Sequence, residues 1–223
     1  MANLTKAALA AMIDHTLLRA EATIEEVREV VSQGAALNVA SVCITSNNVA
    51  RVQHGIVPIC TVIGFPSGAH TWQMKAAEAA QAVAEGAEEI DMVVSLAAVA
   101  ERDWASVGLE ISRVHDACNG KLLKVIVESA LWETDSRLEE VCRVAVDSGA
   151  GFLKTSTGMH NAGGASLGAV ECLARVAAGA GRLVGVKASG GVRTLDTALS
   201  MIEAGATRIG TSGTIAILDA MDA

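Results

Sequence analysis

The sequence has 223 residues, 51% of them apolar, and a formal net charge of −8. That length and apolar supply suit one domain, residues 1–223, while an acidic balance without a Lys/Arg run excludes nucleic acid and anionic membrane surfaces as partners. An aromatic fraction of 2% with no tyrosine also leaves nothing on which bases could stack, and no apolar run reaches the roughly 18 residues of a membrane span.

From the N-terminus, the alanine-rich run Lys6–Ile13 resembles a signal peptide only faintly. Asp14 and His15 end it without a small-residue cleavage site, so it reads as mature sequence. Eight short apolar runs then follow as expected strands: Met12–Thr16, Ala40–Thr45, Ile59–Ile63, Glu89–Val94, Leu122–Val127, Gly151–Thr155, Leu183–Ala188 and Thr207–Gly210. Near-continuous apolar runs are what parallel strands covered on both faces require.

Helical patterns separate the strands. Thr23 and Glu26 form a capping box ahead of Val27 and Val30. A helix from about Trp72 to Glu85 is patterned through Ala76, Ala79, Ala80 and Val83. Leu138, Val141, Cys142 and Ala145, and likewise Leu195, Ala198, Leu199 and Ile202, follow the i, i+3, i+4, i+7 rule. Gly-Ala pairs at 34, 86, 149, 179 and 205 mark helix ends where a left-handed residue is expected. Strict βα alternation with eight strands predicts a TIM (β/α)8 barrel. Neither G-x-G-x-x-G after the first strand nor a P-loop is present, which disfavours an open doubly wound sheet.

The five cysteines are widely spaced without C-x-x-C and are expected to be reduced, in a cytoplasmic protein. The five histidines form no metal-binding pair, so no metal is expected.

Four charged residues interrupt the apolar strands: Asp91, Lys124, Lys154 and Lys187, on expected strands four to seven. Charges inside a barrel are costly unless paired or neutral. One lysine could end a strand and reach solvent; three on neighbouring strands beside an aspartate point to chemistry. Strands lie about 4.8 Å apart, so Lys154 and Lys187 should depress each other's pKa and supply a neutral amine for Schiff-base formation. The iminium would then act as electron sink for an adjacent carbon–carbon bond. Strand seven runs into Ser189-Gly190-Gly191-Val192-Arg193 and strand eight into Gly210-Thr211-Ser212-Gly213. Glycine-rich loops after these strands are the usual phosphate site of such barrels. Gly158 could contribute, and Gly163-Gly164 could be simply a flexible loop.

These motifs are similar to those of the deoxyribose-phosphate aldolase family. The likeness is carried by Ile13-Asp-His-Thr-Leu-Leu18, Val62-Ile-Gly-Phe-Pro66, Glu89-Ile-Asp-Met-Val-Val94 and Leu123-Lys-Val-Ile-Val-Glu128. Phe152-Leu-Lys-Thr-Ser-Thr-Gly158, Val186-Lys-Ala-Ser-Gly-Gly-Val-Arg193 and Arg208-Ile-Gly-Thr-Ser212 extend it over nearly the whole chain. The resemblance implies a class I aldolase, without metal or cofactor, that interconverts 2-deoxyribose 5-phosphate with acetaldehyde and glyceraldehyde 3-phosphate. It implies Lys154 as the Schiff-base lysine, Lys187 as its partner and Asp91 as acid/base. Asp14, Thr16, Cys43, Lys124 and Thr157 would bind substrate, with Gly158, Gly190, Gly191, Arg193, Gly210 and Ser212 around the phosphate. A homo-oligomer, dimer or tetramer, is also implied.

The chain departs from the family pattern at several places. It has no proline near Ser46, it carries Ser95 where Asn is commoner, and Met159 stands where some members have lysine. Gly213 replaces a frequent second serine, and there is no C-terminal tyrosine. None touches Lys154, Lys187 or Asp91. A sugar-phosphate isomerase or epimerase on the same fold would rely on carboxylates or a metal and need no lysine pair. A silent scaffold barrel would be expected to have lost one of the three residues.

Overall fold

The computed structural model describes residues 4–222. Eight parallel strands close into a barrel in sequence order: β1 (Ile13–Leu17), β2 (Ser41–Thr45), β3 (Ile59–Ile63), β4 (Glu89–Val93), β5 (Leu122–Ile126), β6 (Phe152–Lys154), β7 (Gly185–Ser189) and β8 (Arg208–Thr211). Each overlaps its predicted run to within one or two residues at either end. Helices α2 (Ile24–Leu37), α3 (Trp72–Ala84), α5 (Trp104–Ala117), α6 (Arg137–Asp147), α7 (Leu167–Ala178), α8 (Leu195–Glu203) and α9 (Thr214–Asp219) surround the strands. Short α1 (Lys6–Ala10) precedes β1 and α4 (Leu96–Ala100) follows β4. Within α1, Leu9 and Ala10 are buried, so the signal-like run is part of the folded barrel.

The main apolar core lies between sheet and helices, where Val42, Ile44, Ile90, Met92, Val125, Leu153 and Val186 meet residues such as Val27, Ile111, Val141 and Leu173. Inside the barrel the filling differs from the usual branched aliphatics. Cys43, Cys60 and Val62 form a small separate cluster, and the remaining space holds the charged side chains of β1, β4, β5, β6, β7 and β8.

The capping box of α2 forms as expected, with Thr23 and Glu26 bonded reciprocally. Three Gly-Ala glycines, Gly86, Gly149 and Gly205, have φ near +110°. The other two do not play that part. Gly34 lies within α2, whose left-handed end residue is Asn38; a Cβ on Gly34 would lie 2.3 Å from Val42 Cγ2, so its role is close helix–strand packing. Gly179 is right-handed and Gly181 takes the positive φ instead.

The buried face of α3 also differs from the predicted one. It comprises Lys75, Ala79 and Ala82, while Ala80 is exposed. The cause is Lys75, fully buried, which donates to Val93 O at 2.8 Å and pairs with Glu110 Oε2 at 2.9 Å. Glu110 Oε1 in turn accepts from Ser95 N at 2.9 Å. This pair ties the end of β4, which carries Asp91, to the helical layer.

Candidate active site

Strand register decides which charges meet. Lys154 is the direct neighbour of Lys187, and Asp91 of Lys124. Asp91, fully buried, receives hydrogen bonds at both carboxylate oxygens. Its Oδ2 accepts from Lys154 Nζ and Lys187 Nζ, each at 2.7 Å; its Oδ1 accepts from Lys124 Nζ at 2.7 Å and Cys60 Sγ at 3.2 Å.

The network continues toward the entry end of the strands. Lys124 Nζ lies 2.6 Å from Glu89 Oε2 and 3.5 Å from Asp14 Oδ2. Asp14 Oδ2 also pairs with Lys187 Nζ. Arg208 Nη1 closes the base, 2.5 Å from Asp14 Oδ1 and 3.1 Å from Glu89 Oε2, with the Phe152 ring centroid 5.3 Å from its Cζ. Lys124, Lys154, Lys187 and Arg208 therefore face Asp14, Glu89 and Asp91, leaving one cation in excess.

These contacts correct the expected electrostatics. Burial disfavours the ammonium of Lys187, but Asp14 and Asp91 outweigh it and hold its pKa above the ordinary lysine range. Lys124 is held up in the same way, burial being overcome chiefly by Asp91. Burial alone would raise Asp91 and Asp14. The surrounding cations reverse this and keep both carboxylates well below their usual range. Lys187 is thus not depressed as expected, because carboxylates on β1 and β4 contact it.

Above the network opens a cleft of about 340 Å³ at the C-terminal ends of the strands. Lys154, Lys187, Thr16, Thr157, Gly158, Met159, Gly190, Gly191, Arg193, Gly210 and Ser212 line it. Asp14, Cys43, Asp91 and Lys124, all fully buried, do not reach its wall. They form the layer beneath: Asp14, Cys43 and Lys124, expected to bind substrate, and Asp91, expected as acid/base, all lie under the cleft in this structure. Thr157 reaches the cleft, but its hydroxyl is donated to Glu128 Oε2 at 2.6 Å.

The glycines divide by role. Gly158, Gly190 and Gly191 have positive φ, and a Cβ on Gly164 would lie 2.2 Å from Gly190 O. Ala165 N also donates to Gly190 O at 3.0 Å. Gly163-Gly164 is therefore no loose loop but a tight backbone contact that fixes the loop after β7. Gly210 serves the lysine: a Cβ there would lie 2.9 Å from Lys187 Cε. Among the described residues, Arg193 has no carboxylate at ion-pair distance, whereas Arg19 at the same mouth is paired with Glu21 and Glu26.

Sequence reasoning missed Glu89, Arg208, Glu128 and the Lys75–Glu110 pair. Glu89 and Arg208 stand at strand starts, where a charge reads as solvated. Glu128 sits just past β5, at φ +50° and fully buried; a non-glycine left-handed residue leaves no mark in sequence.

A closed parallel barrel with a cation-rich cleft at the strand C-termini defines an enzyme of the (β/α)8 class. The family model described as DeoC/LacD family aldolase matches residues 8–221, and the chain belongs to that family. It is 50% identical over 222 residues to a deoxyribose-phosphate aldolase of Mycolicibacterium paratuberculosis, covering 97% of this chain and 98% of the relative. It is 46% identical over 220 residues to one of Kocuria rhizophila, covering 98% and 99%. The structure described as a unique tetrameric deoxyribose phosphate aldolase from Aeropyrum pernix superposes with a TM-score of 0.85 at 32% identity, over 98% of this chain and 93% of that one. No helix among the described residues is long and apolar enough to cross a membrane.

Proposed function

We propose that the chain reversibly cleaves 2-deoxy-D-ribose 5-phosphate to D-glyceraldehyde 3-phosphate and acetaldehyde through a Schiff base on Lys154. The observation that carries this reading is the Lys154 amine at the cleft floor, sharing one Asp91 oxygen with Lys187. Carbonyl attack needs a neutral amine. With one cation in excess, discharging one lysine balances the buried cluster. Lys124 contacts Asp14, Glu89 and Asp91, and Lys187 contacts Asp14 and Asp91. Among the described residues Lys154 pairs with Asp91 alone, the fewest carboxylate contacts of the three lysines.

Lys154 Nζ attacks C1 of the open-chain sugar to give a carbinolamine. Lys187, held as an ammonium, protonates the departing hydroxyl, and water leaves the iminium. The resulting Lys187 amine takes the C3 hydroxyl proton while the C2–C3 electrons move into the iminium, releasing glyceraldehyde 3-phosphate. Lys187 returns that proton to the enamine carbon; water then adds to the new iminium, its proton passing to Lys187, and the carbinolamine collapses to acetaldehyde and the neutral Lys154 amine. Asp91 touches Lys124, Lys154, Lys187 and Cys60 and aligns the two reacting lysines, Lys154 and Lys187. Thr16 borders the sugar; Gly158, Gly190, Gly191 and Ser212 offer backbone and hydroxyl groups to the phosphate, with Arg193 as its cation. The sequence so written needs no cofactor or metal. We further propose a cytoplasmic homo-oligomer, dimer or tetramer, on the analogy of the family.

Reduction with borohydride in the presence of acetaldehyde, followed by peptide mass mapping, should place the adduct on Lys154. An adduct elsewhere, or none, rules the mechanism out. Gly164→Ala should raise KM for the phosphorylated sugar about tenfold while barely affecting unphosphorylated 2-deoxyribose, a loss near that of one good anion contact. Equal effects on both substrates would remove the loop from the phosphate site.

A further inference from the structure

The base of the barrel carries a pair with no reacting atom in reach. Arg208 begins β8 and Glu89 begins β4, and their side chains meet across the interior below Asp14 and Lys124. Neither lines the cleft. Arg208 is neither a substrate ligand nor an ordinary surface arginine. Its side chain is only 14% exposed, with the guanidinium bonded to two carboxylates and lying near the Phe152 ring. Gly185 makes that arrangement possible, because a Cβ there would lie 2.2 Å from Phe152 Cε1.

We infer that Arg208 and Glu89 set the net charge of the buried cluster, and through it the pH at which Lys154 becomes nucleophilic. The inference rests on the reading of Lys154 as the Schiff-base lysine. Arg208 acts in two ways of the same sign. Its own positive charge opposes a proton on Lys154 through a low-dielectric interior. It also occupies Asp14 Oδ1 and both oxygens of Glu89, drawing on carboxylate charge that would otherwise favour the lysine ammoniums. Because Arg208 stays protonated at any working pH, the cluster keeps its excess cation until a lysine gives up a proton. Glu89 has the opposite sign and works against it.

Lys154 is surrounded by ionisable groups from every other strand. Asp14 stands on β1, Cys43 on β2, Cys60 on β3, Glu89 and Asp91 on β4. Lys124 stands on β5, Lys187 on β7 and Arg208 on β8. Arg19 and Arg193 stand at the mouth. The Cys43 thiol is lowered by its hydrogen bond with Cys60, and burial pushes Cys60 up. Apart from Glu89 and Arg208 themselves, all these groups keep their identity in each variant below, so differences between variants report Arg208 and Glu89.

The test is the pH dependence of the rate at which acetaldehyde and cyanoborohydride label Lys154. Arg208→Met leaves three lysines facing three carboxylates. Its acid limb should move up by about one pH unit or more, an approximately tenfold slower labelling at a pH on the wild-type limb. Arg208→Lys keeps the charge and should stay near wild type. Glu89→Gln should move the limb down. The double variant Glu89→Gln/Arg208→Met restores one excess cation, and its limb should return toward the wild-type position. A purely structural role would predict no such return. The inference is overturned if Arg208→Met coincides with wild type, or if the double variant stays with Arg208→Met. Should Arg208→Met not fold, an unshifted limb in Glu89→Gln overturns it as well. If wild type itself gives no adduct on Lys154, the Schiff-base reading fails instead.

Discussion

Lys154→Leu should lower turnover by about 10,000-fold or more, the scale on which enzymes lose activity when a covalent nucleophile is removed, and leave stability equal to or above wild type. The two halves come from different physics. Loss of the amine removes the only route to the iminium in the proposed reaction. Yet the substitution also deletes the one uncompensated cation of the buried cluster, leaving Lys124, Lys187 and Arg208 against Asp14, Glu89 and Asp91. Removing one member of a buried ion cluster is costly when it strands a counter-charge, but here Asp91 keeps Lys124 and Lys187, so none is stranded. Steady-state kinetics and urea unfolding read the two effects separately. Turnover within about tenfold of wild type would mean a nucleophile elsewhere, and a marked fall in stability would mean that the charge count is wrong.

Asp91→Asn should act the other way, destabilising the fold by about 3–5 kcal/mol, the usual cost of stripping the counter-charge from a buried ion cluster. Among the described residues, Asp91 is the sole carboxylate shared by all three lysines. Its substitution leaves four cations facing two carboxylates in a buried, low-dielectric interior. The pH dependence has a definite sign. Burial would raise the Asp91 carboxyl, but Lys124, Lys154 and Lys187 hold it well below its usual range. A carboxyl depressed in the folded state contributes stability in full above its unfolded value near 4, and loses it as the pH falls toward the folded value. The stability gap between wild type and Asp91→Asn should therefore be constant from about pH 5 to neutrality and narrow in more acid solution. Lys187, raised in the folded state, contributes on the alkaline side: fully below the unfolded lysine value near 10.4, and less as the pH rises beyond it. Urea midpoints across pH measure both windows; a gap that widens below pH 4 would contradict the assignment.

Much of the site was legible because charge in a parallel strand is an anomaly. Asp91, Lys124, Lys154 and Lys187 lie within continuous apolar runs, and a residue so placed in a barrel must be buried. Arg208 and Glu89 carry the same kind of information but open their strands, where a charge is ordinary, and both were missed. Lys75 was hidden by its helix. On α3 the alanines on several faces look alike, so nothing in the pattern reveals that the lysine turns inward to Val93 and Glu110. The glycines misled in a similar way, since Gly34, Gly164 and Gly210 are required by close neighbours far along the chain rather than by a local turn.

The sequence by itself determined the architecture and the participants: eight parallel strands, a phosphate-sized set of glycine loops and a lysine on each of three neighbouring strands. These follow from local rules, since hydrophobic period, helix caps and turn residues act over a few positions. Tertiary structure alone decided the protonation logic. Whether neighbouring lysines repel or are held depends on which carboxylates enter the same barrel interior, and that is set by strand register and closure between β1 and β8. Asp14 and Arg208 are 194 positions apart in the chain, and their contact joins both ends of the sheet beneath Lys187. Coulomb energy depends on that spatial arrangement, to which separation along the chain is blind.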